Sequence, residues 1–189
     1  MTREEIQKQA LDTLIANKRS GIAVSMGVGK TLIGLIHMVA HYKKDIKFLV
    51  VAPKVSIFQS WKDDAVKFGL EDMLTSAMFS TYISLPKHDP TKYDVVILDE
   101  CHSLLYTHQK FLALYKGRIL GLTGTPPRYK KSEKYVMVSS YCPIVYTYKT
   151  DDAVEDSILN DYRIFVHKLP LSTASDISVN MKGKNFFTS

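Results

Sequence analysis

Ser25-Met-Gly-Val-Gly-Lys-Thr31 and Asp99-Glu-Cys-His102 are the stretches on which the fold turns. In the first, Gly27 and Gly29 precede Lys30 and Thr31, between the apolar segment Gly21–Val24 and the helix-like segment Lys30–Tyr42. Glycines let successive backbone N–H groups point at one anion, and a following helix adds its positive N-terminus. A lysine at that point reaches the β- and γ-phosphates of a nucleotide, and the next hydroxyl ligates magnesium. The full phosphate-loop pattern has a further glycine at position 24, where this chain has Val24. The second stretch closes the apolar run Asp94-Val-Val-Ile-Leu98. It sets two carboxylates at a strand end, where Asp99 can hold magnesium and Glu100 can orient an attacking water. The plain alternatives are a glycine turn before an amphipathic helix and a solvated Asp-Glu turn.

Outward from these motifs the pattern alternates. Helices are expected over Glu4–Ala16, Lys30–Tyr42 (Leu32, Leu35, Ile36 and Val39 on one face), Val55–Phe68 (stripe Ile57, Phe58, Trp61, Ala65, Phe68) and Gln109–Lys116. Strands are expected over Gly21–Val24, Lys47–Ala52, Met73–Phe79, Asp94–Leu98, Arg118–Leu122, Ile144–Tyr148 and Arg163–His167, with Thr150 as a helix N-cap before Asp151 and Asp152. Apolar strands that do not alternate, separated by amphipathic helices, indicate an α/β fold with a mostly parallel, doubly wound sheet covered on both faces. In such a sheet ligands sit at the carboxyl ends of the strands, where both motifs fall. The segment after Pro170 is polar and unpatterned and reads as a linker.

The chain has 189 residues, 46% of them apolar and 23% charged, as expected for a single globular domain. No apolar run is long enough to span a bilayer, and Met-Thr-Arg-Glu-Glu-Ile lacks the core of a secretion signal. A cytoplasmic protein without membrane contact is expected. The two cysteines, Cys101 and Cys142, form no Cys-x-x-Cys pair, so neither a disulfide framework nor zinc is indicated. Net charge is +6, which favours a nucleic-acid partner only weakly.

A third stretch, Gly121-Leu-Thr-Gly-Thr-Pro-Pro-Arg128, follows the strand at 118–122. Its Thr123 and Thr125 hydroxyls are placed to bond the acidic motif, although Gly-Thr-Pro-Pro also makes a simple turn. The basic run Arg128, Lys130, Lys131 and Lys134 could attract a phosphate backbone or be a solvated loop and helix start. His37 and His41, four apart, read as helix-face residues because the intervening Glu of a zinc-protease motif is missing. Trp61, Tyr135, Tyr141, Tyr146 and Tyr148 read as packing residues.

The order Ser25–Thr31, Val51-Ala-Pro-Lys54, Ser80-Thr-Tyr82, Asp99-Glu-Cys-His102, Thr123-Gly-Thr-Pro-Pro127 resembles the first RecA-like domain of superfamily-two DExH helicases and translocases. Val51–Trp61 looks like motif Ia of the Swi/Snf-type and phage branches. The resemblance implies a three-layer α/β/α P-loop NTPase fold over 1–168, with 169–189 a linker toward a second RecA-like domain. It implies ATP and Mg2+, with Met26, Gly27, Val28, Gly29, Lys30 and Thr31 as the nucleotide loop. Gln7 sits where the family keeps an adenine-reading glutamine, without the Arg-Pro-Tyr that often precedes it. Thr31 and Asp99 would hold the metal. Lys30, Asp99, Glu100 and His102 would be catalytic, with His102, Thr123 and Thr125 coupling hydrolysis to movement. Pro53, Lys54, Ser80 and Thr81 would line a nucleic-acid track, with DNA favoured over RNA.

In this family the second domain supplies arginine fingers, whereas after Thr125 this chain has only Arg128 and Arg163. A monomer is therefore expected to act as one half of a motor and to hydrolyse ATP slowly by itself. A P-loop phosphotransferase, an RNA helicase domain and a non-catalytic scaffold are the competing readings. A phosphotransferase would need an acceptor site and an arginine-bearing lid, and neither is found.

Overall fold

The computed structural model describes residues 1–158 and the backbone of 177–181 and 184–188. In chain order the elements are α1 (Arg3–Ala16), β1 (Arg19–Val24), α2 (Lys30–Ala40), β2 (Phe48–Ala52), α3 (Ser56–Phe68), α4 (Glu71–Leu74), β3 (Ala77–Thr81) and β4 (Val95–Asp99). There follow α5 (Gln109–Leu112), β5 (Arg118–Thr123), α6 (Glu133–Tyr141), β6 (Ile144–Tyr148), α7 (Thr150–Glu155), β7 (Ile177–Met181) and β8 (Lys184–Thr188). Strands β1 to β6 form one sheet in the order β3-β2-β4-β5-β1-β6. All of its pairings are parallel. Strands β7 and β8 pair antiparallel as a separate two-stranded sheet, in the segment that reads as a linker. The strand expected at 163–167 lies outside the described residues.

The central strands β2 and β4 are buried on both faces, and successive side chains point to opposite sides. Phe48, Val50, Val95 and Ile97 join one core cluster with Ile6, Ala10 and Leu14 of α1, Ile33, Leu35 and Met38 of α2 and Trp61 and Ala65 of α3. Leu49, Val51, Val96 and Leu98 join the opposite cluster with Phe111, Leu112, Met137 and Val138. This three-layer sandwich is the expected one. Helix α1 starts at a reciprocal cap: the Glu5 N–H donates to the Thr2 hydroxyl at 3.2 Å, and the Thr2 N–H to the Glu5 carboxylate at 2.8 Å.

Several local expectations are corrected. The segment 73–79 is not one strand. Helix α4 occupies its first part and β3 begins at Ala77. Thr150 is the first helical residue rather than the cap, and the Lys149 N–H is held by the Asp152 carboxylate at 3.1 Å. Helix α6, of which the sequence suggests only a start near the basic run, is capped by the Ser132 hydroxyl, which accepts from the Tyr135 N–H. In α2 the buried residues are Ile33, Gly34, Leu35, His37 and Met38, while Val39 is exposed. The cause is that α2 packs against α1, α3 and β5 together, which covers more than one stripe of a helix. Phe68, expected on the α3 stripe, is exposed.

Two buried groups in α2 generate predictions. A Cβ at Gly34 would lie 2.5 Å from Trp61 Cη2, and Trp61 is fully buried. Alanine gains about 1 kcal/mol over glycine in a helix, but overpacking a rigid core costs about 1–3 kcal/mol, and a contact this short belongs at the upper end. Gly34→Ala is expected to destabilise the chain by roughly 1–2 kcal/mol in a urea titration. His37 is buried with no hydrogen-bond partner for Nδ1 among the described residues. Burial, followed by the neighbouring His41 and Arg118, lowers its pKa from 6.5 to about 3. The unfolded chain therefore takes up this proton first, so the stability is present above pH 6.5 and is lost as pH falls toward 3. Between pH 7 and 5 the loss is about 2 kcal/mol. Thermal melts across this range should fall more steeply for the wild type than for His37→Leu.

Candidate functional site

Strands β4, β5 and β1 are neighbours, and the three motifs leave their carboxyl ends side by side. Asp99 ends β4 in register with Leu122, and Thr123 ends β5 in register with Ala23 of β1. The loop 25–29 follows β1 immediately. The acidic strand is thus one strand removed from the phosphate loop, with β5 between them.

The loop needs both glycines, since Gly27 and Gly29 have φ of 87° and 96°. Gly29 caps α2 without a side-chain hydrogen bond, which leaves the first N–H groups of the helix for an anion. Val28 is fully buried, so it serves the loop as an anchor and its side chain is not a ligand group. Its carbonyl accepts a hydrogen bond from Gln7 Nε2 at 2.6 Å. Gln7 thus reaches the loop, and its amide also stands 2.7 Å from where a Gly29 Cβ would be.

Lys30 points across to the acidic motif, with Nζ 3.7 Å from Glu100 Oε1. Asp99 is almost fully buried and its carboxylate is held on both oxygens. Trp61 Nε1 donates to Oδ2 at 2.8 Å, and the Glu100 N–H donates to Oδ1 at 2.9 Å. The Tyr82 hydroxyl donates to the Asp99 carbonyl at 2.9 Å. Burial pushes the Asp99 pKa up, opposed by the Trp61 hydrogen bond and the Lys30 charge. Glu100 has a left-handed backbone, φ 51° and ψ 53°, which costs a non-glycine residue energy and is typical of functional sites. That turn aims its side chain at both Lys30 and His102, whose Nδ1 lies 3.3 Å from Oε2.

His102 links the acidic motif to the third stretch. Its Nδ1 is 2.8 Å from Thr123 Oγ1 and 3.3 Å from Thr125 Oγ1. The Thr125 N–H in turn donates to Thr123 Oγ1 at 3.1 Å. Burial lowers the His102 pKa, against the pull of Glu100, so the ring is neutral at pH 7.

A cavity of about 380 Å³ opens between these groups. Gly27, Gly29, Lys30, Thr31, Asp99 and Glu100 form one side, and Ile57, Ser60 and Asp64 of α3 form the other. A magnesium ion fits the donor set, because Thr31 and Asp99 offer hard oxygen atoms next to uncapped N–H groups for phosphate. Cys101 is buried, and its thiol is pushed well up by Cys142 and by burial, which makes it inert.

Pro53, Lys54, Ser80 and Thr81 follow or end the paired strands β2 and β3, in register at Ala52 and Thr81. They lie at the same edge of the sheet but do not line the cavity. Lys54 is exposed, whereas Ser80 is buried. The Ser80 hydroxyl is engaged with His88 Nε2 at 2.8 Å, and His88 Nδ1 with the Tyr93 hydroxyl at 2.8 Å. Ser80 therefore braces the end of β3 instead of offering a free hydroxyl. Arg128, Lys130, Lys131 and Lys134 are exposed. The roles of Trp61 and His88 lay outside the sequence reading. Each is distant from its partner in sequence or joined to it by a loop, with no spacing rule to find it.

Among solved structures, the helicase UvsW of bacteriophage T4 is similar with a TM-score of 0.59 at 16% identity, over 77% of this chain and 60% of that one. A nuclease-deletion mutant of the Type ISP restriction-modification enzyme LlaGI gives 0.60 at 19% identity, over 82% and 20%. The SWI2/SNF2 ATPase core of Sulfolobus solfataricus gives 0.55 at 16% identity, over 74% and 34%. The chain thus spans at most 60% of these structures. At such identities they show the shared fold, that of RecA-like helicase domains. No curated protein matches the chain. Residues 1–128 match the family described as Type III restriction enzyme, res subunit, and the chain belongs to that family.

Proposed function

We propose that this chain is the ATP-binding motor domain of a nucleic-acid-dependent ATPase, a helicase or translocase that couples ATP hydrolysis to movement on DNA. The observation that carries the reading is the convergence of Lys30, Thr31, Asp99 and Glu100 on one cavity at the ends of β1 and β4, which flank β5. Phosphoryl transfer demands positioning and charge neutralisation more than covalent chemistry, and this set supplies both.

In this reading the loop N–H groups and Lys30 bind the phosphates. Thr31 and Asp99 would hold magnesium, which would supply charge neutralisation for the phosphates. Glu100 orients the attacking water and takes up its proton as the water oxygen bonds to the γ-phosphorus and the bond from that phosphorus to the bridging oxygen breaks, with ADP as the leaving group and phosphate as the second product. Without nucleotide, Lys30 and Glu100 neutralise each other. A bound γ-phosphate competes for Lys30 and releases Glu100 toward the water. His102 senses that displacement, since it touches Glu100 on one side and Thr123 and Thr125 on the other. Gln7 reads adenine or steadies the loop through Val28.

The track consists of Pro53, Lys54 and Thr81, with Ser80 as a brace behind it. Backbone-directed contacts of this kind grip phosphodiesters without reading bases. DNA is favoured over RNA, in keeping with the DNA substrate mimic and the dsDNA of two similar structures. A second RecA-like domain supplies the arginine fingers, worth about 1,000-fold or more. The compartment is the cytoplasm and the chain is monomeric. No helix of the described residues is long and apolar enough to cross a membrane.

The test is ATP turnover with single-stranded DNA, duplex DNA and RNA. Turnover should be slow for the chain alone and rise with DNA once a second RecA-like domain is joined to it. Lys30→Ala and Glu100→Gln should each lower the rate by about 100-fold. Transfer of phosphate to a small acceptor, or turnover indifferent to Lys30, would sink the reading.

A further inference from the structure

The chain contains a single tryptophan, Trp61, and it lies where three parts of the motor meet. Its indole N–H donates to Asp99 Oδ2 at 2.8 Å, and this bond is buried. The far edge of its ring is pressed against α2, the helix that begins at Lys30, so closely that only glycine fits at position 34. Phe79 of β3 packs edge-on against it, ring centroids 6.5 Å apart. Trp61 also belongs to α3, whose Ile57, Ser60 and Asp64 wall the nucleotide cavity. That helix starts directly after Pro53 and Lys54.

We propose that Trp61 is a positioning residue that fixes the metal-binding carboxylate of Asp99 and ties its orientation to α3. The inference rests on the reading of Asp99 as a magnesium ligand. A carboxylate oxygen has two lone-pair directions. The indole N–H occupies one on Oδ2 and the Glu100 N–H one on Oδ1, which leaves the remaining directions for a cation. Outer partners of this kind orient a ligand and set metal affinity. The bond also has a direction of transmission. A displacement of α3, from a strand held at Lys54 or from a nucleotide against Ser60 and Asp64, moves the indole. The buried N–H cannot find water in exchange, so the carboxylate follows it.

The experiment measures binding of adenylyl imidodiphosphate to the full chain by calorimetry as free magnesium is varied. Trp61→Phe keeps an aromatic ring in the core and removes the N–H. It should leave analogue binding without magnesium unchanged within twofold and raise the magnesium concentration for half-maximal effect about tenfold or more. Phe79→Leu is the packing control. It should lower the melting temperature without moving the magnesium dependence. Trp61 emission in the wild type gives a second readout that survives if Trp61→Phe does not fold: magnesium added to the analogue-loaded chain should shift it. An unchanged magnesium dependence in folded Trp61→Phe, or an unresponsive emission, overturns the inference. Lys30→Ala separates the two levels: loss of analogue binding there with no role for Trp61 leaves the ATPase reading standing, whereas indifference to Lys30 removes that reading itself.

Discussion

Nothing polar can leave the middle of this sheet. Strands β2 and β4 are buried along their whole length, with side chains packed into a core on either face. Parallel strands share one direction, so every strand delivers its next residues to the same edge. The chemistry is therefore confined to a line of strand ends. The chain places Lys54 beyond β2, Thr81 on β3, Asp99 on β4, Thr123 on β5 and the glycine loop beyond β1 along it. The functional arrangement follows from the packing requirement.

At that edge Lys30 and Glu100 answer one another and Asp99 is hydrogen-bonded on both oxygens. Lys30 and Glu100 are partly buried and face one another at 3.7 Å. A buried cation without a partner would cost several kcal/mol, so the pair holds the nucleotide-free site in an ordered state. Glu100 can serve both Lys30 and His102 because its backbone takes the left-handed conformation. Asp99, one residue earlier, is still in the strand and points into the core side, toward α3. A single peptide step thus separates a carboxylate fixed by Trp61 from one shared between Lys30 and His102.

The glycine spacing, the apolar runs and the carboxylates at a strand end made the layers, the parallel sheet and the glycine loop before α2 legible in the sequence. Those signals are local: each rests on neighbouring residues or on a short period. What was not legible is the pairing between elements. Trp61 reads as one more residue of an apolar stripe, and its N–H bond to Asp99 exists only because β2, which precedes α3, pairs with β4. Ser80 reads as a free hydroxyl until His88 returns across it from the following loop. Val28 reads as a loop residue, yet its side chain is core. Helix α6 is legible only at its start, because its apolar residues Val136, Met137 and Val138 are consecutive and show no helical period. The misplaced face of α2 has the opposite cause. The helix is apolar nearly all round, so periodicity could not choose the side that α1, α3 and β5 cover.

Helix α3 matters more than its composition suggests. Its N-terminal end is at the exposed edge beside Lys54, its middle walls the cavity, and its buried side holds Asp99 through Trp61. A rigid helix moves as a unit, and close-packed interiors transmit displacement without absorbing it. Gly34 makes the contact tighter still, since the indole has no free space against α2. A helix clamped in this way cannot shift at its exposed end without altering the geometry of the carboxylate at its buried one. In the proposed motor, that is the mechanical property needed between the track and the nucleotide.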